Sequence, residues 1–147
     1  MLATLPSFIR VPLAMLALTL NILLHVIFVF VFTLIKLVLP SPSVRRACSR
    51  VLVWVAESWI GVNNSLFGLF TRIRWQLEGL DGLLRDGSYL VLCNHQSWVD
   101  IPVLQKIFNR RIPYLRFFLK QELIWVPLLG PAWWALDFPF MKRYSRQ

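Results

Sequence analysis

From Val11 to Ile35 the chain has no charged side chain, and Leu, Val, Ile, Phe and Ala supply most of the run. As a helix, roughly 20 such residues suffice to cross the hydrocarbon core of a bilayer. A hydrophobic content of 57% over the whole chain is also too high for an ordinary soluble domain. The run ends at Lys36 and the turn-forming Pro40-Ser41-Pro42. A secretory signal peptide has a shorter apolar core and a small-residue cleavage site, so this segment is expected to be retained. The expectation is a short N-terminal segment over 1–10 and a transmembrane or deeply embedded anchor over 11–39. Asn21 and His25 are four apart and share one helical face. They mark an intramembrane polar site or are polar residues tolerated on a shallow or partner-covered face.

The formal charge of +9 would suit nucleic acid, but its distribution follows the membrane instead. No acidic residue precedes Glu57; Arg10 alone precedes the apolar run, whereas Lys36, Arg45, Arg46 and Arg50 follow it. This positive-inside asymmetry places everything after the anchor in the cytoplasm. The same cluster attracts anionic lipid head groups. Nucleic acid is not an expected partner, because no basic groove-reading helix is evident.

Cys48 and Cys93 are too few and too isolated for a disulfide framework or a zinc site, and no metal is expected. They read as reduced thiols. Cys93 adjoins the polar motif discussed below, but its apolar neighbours argue against a catalytic thiol.

Beyond the anchor, residues 44–70 begin with arginines and continue with Val51, Leu52, Trp54, Val55, Trp59 and Ile60. The pattern fits a helix at the lipid interface, with a core helix as the alternative. Gly61, Asn63 and Asn64 are expected to weaken it. At Arg74 the pattern changes to alternation, as in a half-exposed strand over 74–79, and turn signals fill 79–87. Residues 88–93 have the length and composition of a buried strand. A helix over 101–108, a strand over 114–119, a proline-interrupted helical stretch over 122–130 and a third buried strand over 135–141 complete an α/β pattern.

The strand over 88–93 runs into Asn94-His95-Gln96-Ser97-Trp98-Val99-Asp100. On one ideal helix, residues five apart point about 140° from each other, so His95 and Asp100 cannot share a face. They can meet if His95 lies in the loop and Asp100 in the first turn of the next helix. Asp100 suits a helix cap, and Pro102 suits a first turn where its missing N–H is harmless. A carboxylate on one imidazole nitrogen fixes the tautomer and leaves the other nitrogen to accept a proton from a hydroxyl. The competing reading is purely structural: Ser97 and Asp100 have the spacing of a capping box, and His95 is then an ordinary hydrogen-bonded histidine.

Asn94, His95, Ser97 and Asp100 resemble the first motif of the PlsC-type glycerolipid acyltransferases, Asn-His followed by four residues and Asp. Phe140-Met141-Lys142-Arg143 resembles the second motif of that family, an aromatic, an aliphatic, a variable residue and arginine. The surrounding stretch from Arg116 to Arg146 is similar to the YihG-type branch of bacterial inner-membrane proteins. Two departures stand out. The family often has glycine three residues before the aromatic of the second motif, where this chain has Asp137, and no Pro-Glu-Gly run occurs before Gln147. That missing segment helps bind the acceptor phosphate in the family, so the expectation is the N-terminal portion of a longer enzyme, either a fragment or a truncated product. Residues 74–147 would then be a partial acyltransferase domain, the first half of an α/β fold.

The resemblance implies acyl transfer from acyl-CoA or acyl carrier protein to the hydroxyl of a lysophospholipid or glycerol phosphate, with no other cofactor. His95 would deprotonate the hydroxyl, Asp100 would orient His95, Arg143 and Lys142 would bind phosphate, and Asn94 and Ser97 would hold the loop. Arg143 as a solvated residue of a basic tail is the alternative. Trp98 would line the acyl path or belong to the core. The expected site is the cytoplasmic face of a bacterial inner membrane, with membrane lipids as partners. The rival from another class is a membrane-anchored binding or assembly protein without catalysis.

Overall fold

The computed structural model describes residues 2–39 and 41–142. Four α-helices lie among them: α1 (Ser7–Val38), α2 (Pro42–Phe70), α3 (Asp100–Phe108) and α4 (Leu129–Ala135). Two short strands, β1 (Leu119–Lys120) and β2 (Phe140–Met141), and 3₁₀ turns at Leu2–Thr4 and Gln121–Trp125 complete the regular structure. The architecture of the described residues is therefore mostly helical, with one small sheet.

The 32 residues of α1 span about 48 Å at 1.5 Å per residue, more than the hydrocarbon thickness of about 30 Å. Met15, Leu16, Leu20, Leu23, Leu24, Ile27, Phe28, Val31 and Leu34 are all exposed. A core helix of a soluble protein would bury such residues. This helix is long and apolar enough to serve as a membrane anchor.

Pro42 opens α2 at a position where its missing N–H is harmless. The helix runs on to Phe70, through Gly61, Asn63 and Asn64, contrary to the expectation that these would weaken it. Cys48, Leu52, Val55, Ala56 and Ile60 form its buried stripe at helical spacing, while Arg45, Arg46, Arg50 and Trp54 are exposed.

The chain divides into two compact units. The first combines Met1–Leu23 with Glu57–Leu115. Here the Asn21 amide on α1 donates to the Trp59 carbonyl at 3.2 Å and to Asn63 Oδ1 at 2.8 Å, so Asn21 serves the packing of α1 on α2. The buried Glu57 carboxylate accepts from Arg85 at 2.8 Å and lies 3.7 Å from Arg110, and its carbonyl accepts from the Asn109 amide at 3.2 Å. Neither 74–79 nor 88–93 forms a strand, and Leu90 and Leu92 are exposed. An isolated strand leaves its backbone groups unpaired, so alternation alone does not make one. The turn region does form as expected: Gly79 and Gly82 have φ of 70° and 82°, and Gly87 N–H donates to the Leu84 carbonyl at 3.2 Å.

The second unit combines Leu24–Ala56 with Arg116–Gln147. β1 and β2 pair in parallel, Leu119 beside Phe140 and Lys120 beside Met141, and α4 lies in the crossover a parallel pair requires. The expected strands over 114–119 and 135–141 shrink to these two-residue pieces, and Ala135 ends a helix instead of starting a strand. In the crossover, a Cβ on Gly130, in the first turn of α4, would collide with the Ile124 carbonyl, so that position admits only glycine. Leu52, Val55, Ala135, Leu136 and Phe138 are buried in this unit.

Candidate active site

His95 occupies the irregular segment before α3, and Asp100 is the first residue of that helix. The Nδ1 atom of His95 and Oδ2 of Asp100 lie 3.0 Å apart. The N-cap of α3 is Val99, without a side-chain cap hydrogen bond, so Asp100 is not the cap. Its Oδ2 instead accepts the backbone N–H groups of Gln96 at 2.8 Å and Ser97 at 2.9 Å, while Ser97 Oγ accepts from the Val99 N–H at 3.3 Å. The Ser97 N–H therefore donates to the carboxylate that also holds His95, and the expected Ser97–Asp100 capping box does not start α3.

An ionised carboxylate only accepts hydrogen bonds, so this pairing puts the proton on Nδ1 and leaves the Nε2 lone pair available. The ring is 60% exposed and Asp100 32% exposed, so Nε2 is within reach of a substrate. The Ser97 and Gln96 N–H groups, and then the His95 ring, hold the Asp100 carboxyl below its ordinary pKa range; partial burial opposes them. Asp100 is therefore a fixed negative charge at neutral pH beside a ring that can become an imidazolium. This arrangement can orient and stabilise a general base.

Ser97 enters the network through its backbone N–H and its hydroxyl, as a loop-holding residue. Among the described residues the Asn94 side chain enters no hydrogen bond. Gln96 was missed by motif reading because only its backbone takes part; the carboxylate four positions on was the available signal. Trp98 is 77% exposed and does not belong to the core; with Leu90 and Leu92 it leaves apolar surface on the segment that carries His95. Lys142 follows β2 and is exposed, and Arg143 lies outside the described residues. Cys93 is an exposed free thiol and Cys48 a buried one. Among the described residues, no group of three His, Cys, Asp or Glu side chains stands close enough to hold a metal ion.

The model of the family described as Acyltransferase matches residues 74–147, which include His95 and Asp100. The chain belongs to the acyltransferase family. No curated protein and no solved structure gives a match. Acyltransferase chemistry moves an acyl group to an acceptor, and the matched region contains the hydrogen-bonded His95 and Asp100.

Proposed function

We propose that the protein is a membrane-bound O-acyltransferase of the PlsC type, close to the YihG-like branch, that acylates the hydroxyl of a lysophospholipid or glycerol phosphate. The observation that carries this reading is the 3.0 Å His95–Asp100 pair inside a matched acyltransferase domain. The α/β architecture of such a domain, and a role in phospholipid synthesis or remodelling, belong to the same proposal.

His95 Nε2 takes the proton of the acceptor hydroxyl as its oxygen attacks the thioester carbonyl of acyl-CoA or acyl carrier protein. Asp100 holds the ring and offsets the imidazolium charge. The tetrahedral intermediate collapses with cleavage of the C–S bond, and the imidazolium returns the proton to the departing thiolate. The products are an ester and a free thiol. Lys142 and Arg143 bind the acceptor phosphate, a role that suits their charges. Trp98, Leu90 and Leu92 supply apolar surface for the acyl chain.

In this reading α1 crosses the bilayer of a bacterial inner membrane, and the excess of basic residues after it supports a cytoplasmic catalytic part, where thioester donors occur. The test is transfer of a labelled acyl group from acyl-CoA and from acyl carrier protein to lysophosphatidic acid, other lysophospholipids and glycerol 3-phosphate, in membranes carrying the chain. Transfer to a phosphate-bearing acceptor, with a raised KM in Lys142→Ala, supports the proposal. Absence of transfer to every acceptor leaves a non-catalytic anchored binding protein as the better reading.

A further inference from the structure

Lys36 at the end of α1 and the arginines in the first turns of α2 line an open cavity. Lys36, Arg45, Arg46, Ser49, Arg50 and Asp137 line a space of about 660 Å³. All six belong to the second compact unit, and none belongs to the motif around His95. Lys36 and Asp137 satisfy each other: the buried ammonium lies 3.2 Å from the Asp137 carboxylate and donates to the Ala135 carbonyl at 3.1 Å. The remaining charges are three exposed guanidinium groups, Arg45, Arg46 and Arg50, with no hydrogen-bond or ion-pair partner among the described residues. Three unneutralised guanidiniums and a hydroxyl around one space are a phosphate-binding chemistry.

A second cavity, of about 320 Å³, adjoins the first through Arg50 and is otherwise lined by Ala47, Val51 and Trp54. The spacing explains the adjacency. Arg46 and Arg50 are four apart on α2, and Ala47, Val51 and Trp54 follow at i, i+4 and i+7, so a basic stripe and an apolar stripe run side by side. Trp54 is 61% exposed, which suits an aromatic side chain at a membrane interface. Lys36 stands in the last turn of α1, where the charge-free segment ends.

We propose that the cavity of Arg45, Arg46, Ser49 and Arg50 binds the phosphate of an anionic phospholipid headgroup, while the groove of Ala47, Val51 and Trp54 takes the first part of its acyl chains. This is a lipid site built on the membrane reading of α1; it does not depend on acyl transfer. A soluble phosphate would use the cavity alone, whereas a lipid needs both the charged and the apolar halves, and both are present side by side.

The test uses the full chain in nonionic detergent micelles, titrated by calorimetry with dihexanoyl phosphatidylglycerol below its own micelle concentration and with no acyl donor present. Saturation at one lipid per chain is expected. Removing one basic charge near a membrane surface costs about fivefold in affinity, so Arg50→Gln should weaken binding by about that factor. The triple variant Arg45→Gln, Arg46→Gln, Arg50→Gln should weaken it on the order of 100-fold. Trp54→Ala should weaken binding of the lipid but not of inorganic phosphate. The three arginines are exposed, so helix content by circular dichroism should be unchanged in these variants. Three results would overturn the proposal: an unchanged affinity in the arginine variants, equal binding of dihexanoyl phosphatidylcholine, or inorganic phosphate binding as tightly as the lipid with Trp54→Ala silent. Because no turnover is read, a His95→Ala chain must bind the lipid like the parent, whatever becomes of the catalytic proposal.

Discussion

Lys36 of α1 and Asp137, a hundred and one positions later, form an ion pair at 3.2 Å in which the lysine is buried and the aspartate 57% exposed. Asp137 has φ of 59°, the left-handed region that favours glycine and that aspartate tolerates better than most residues. The aspartate where the resembling family often has glycine thus meets the same backbone requirement and adds a counter-charge for Lys36. Asp137→Ala strands the buried Lys36 ammonium and also loses the tolerance for this conformation, and should destabilise the chain by about 4 kcal/mol. Asp137→Gly strands the same charge but keeps the backbone freedom, and should cost about 3 kcal/mol. Thermal unfolding in detergent micelles measures the difference; an equal or larger loss for Asp137→Gly would refute the backbone argument.

Glu57 presents the opposite asymmetry. The carboxylate is buried, whereas Arg85 and Arg110 keep 62% and 51% of their side-chain surface exposed. Losing Glu57 returns two arginines to water, but losing both arginines strands a buried negative charge. Glu57→Gln should therefore cost about 1 kcal/mol, and the double variant Arg85→Met, Arg110→Met about 3 kcal/mol. Chemical unfolding of the three proteins would show it, and the reverse order would contradict the assignment of Glu57 as the costly partner to leave unpaired.

The Asp100 carboxyl has a folded-state pKa below its unfolded value of about 3.9, caused first by the Ser97 N–H, then by the Gln96 N–H and the His95 ring. A depressed acid stabilises the folded loop fully above the unfolded pKa, and that stabilisation is lost as pH falls through the folded value. Hydrogen-exchange protection of the Gln96 and Ser97 amides, corrected for intrinsic rates, should be flat from pH 7 to about 4 and fall below that. In Asp100→Asn the acid-dependent fall should disappear. Protection lost between pH 7 and 5 would instead implicate another group.

Much of the helical structure was legible because helices are local: the charge-free run predicts α1, and Asp100 with Pro102 predicts the start of α3. The meeting of His95 and Asp100 was legible too, since five residues across a loop-to-helix junction leave few other arrangements. The full length of α2 was not. Asn63 is a poor interior residue by propensity, but Asn21, forty-two positions away, hydrogen-bonds it, and no local pattern records that partner. Strands failed for the related reason that pairing is non-local: among the described residues only Leu119–Lys120 and Phe140–Met141, which have each other, form a sheet.

The most direct measurement is the rate of acyl transfer from a labelled thioester to a lysophospholipid by membranes carrying the chain or its His95→Ala variant. General-base assistance is worth about 10²- to 10⁴-fold, so kcat in the variant should fall by at least about 100-fold, with KM for the acceptor little changed. Equal rates in the two preparations would contradict a catalytic role for His95.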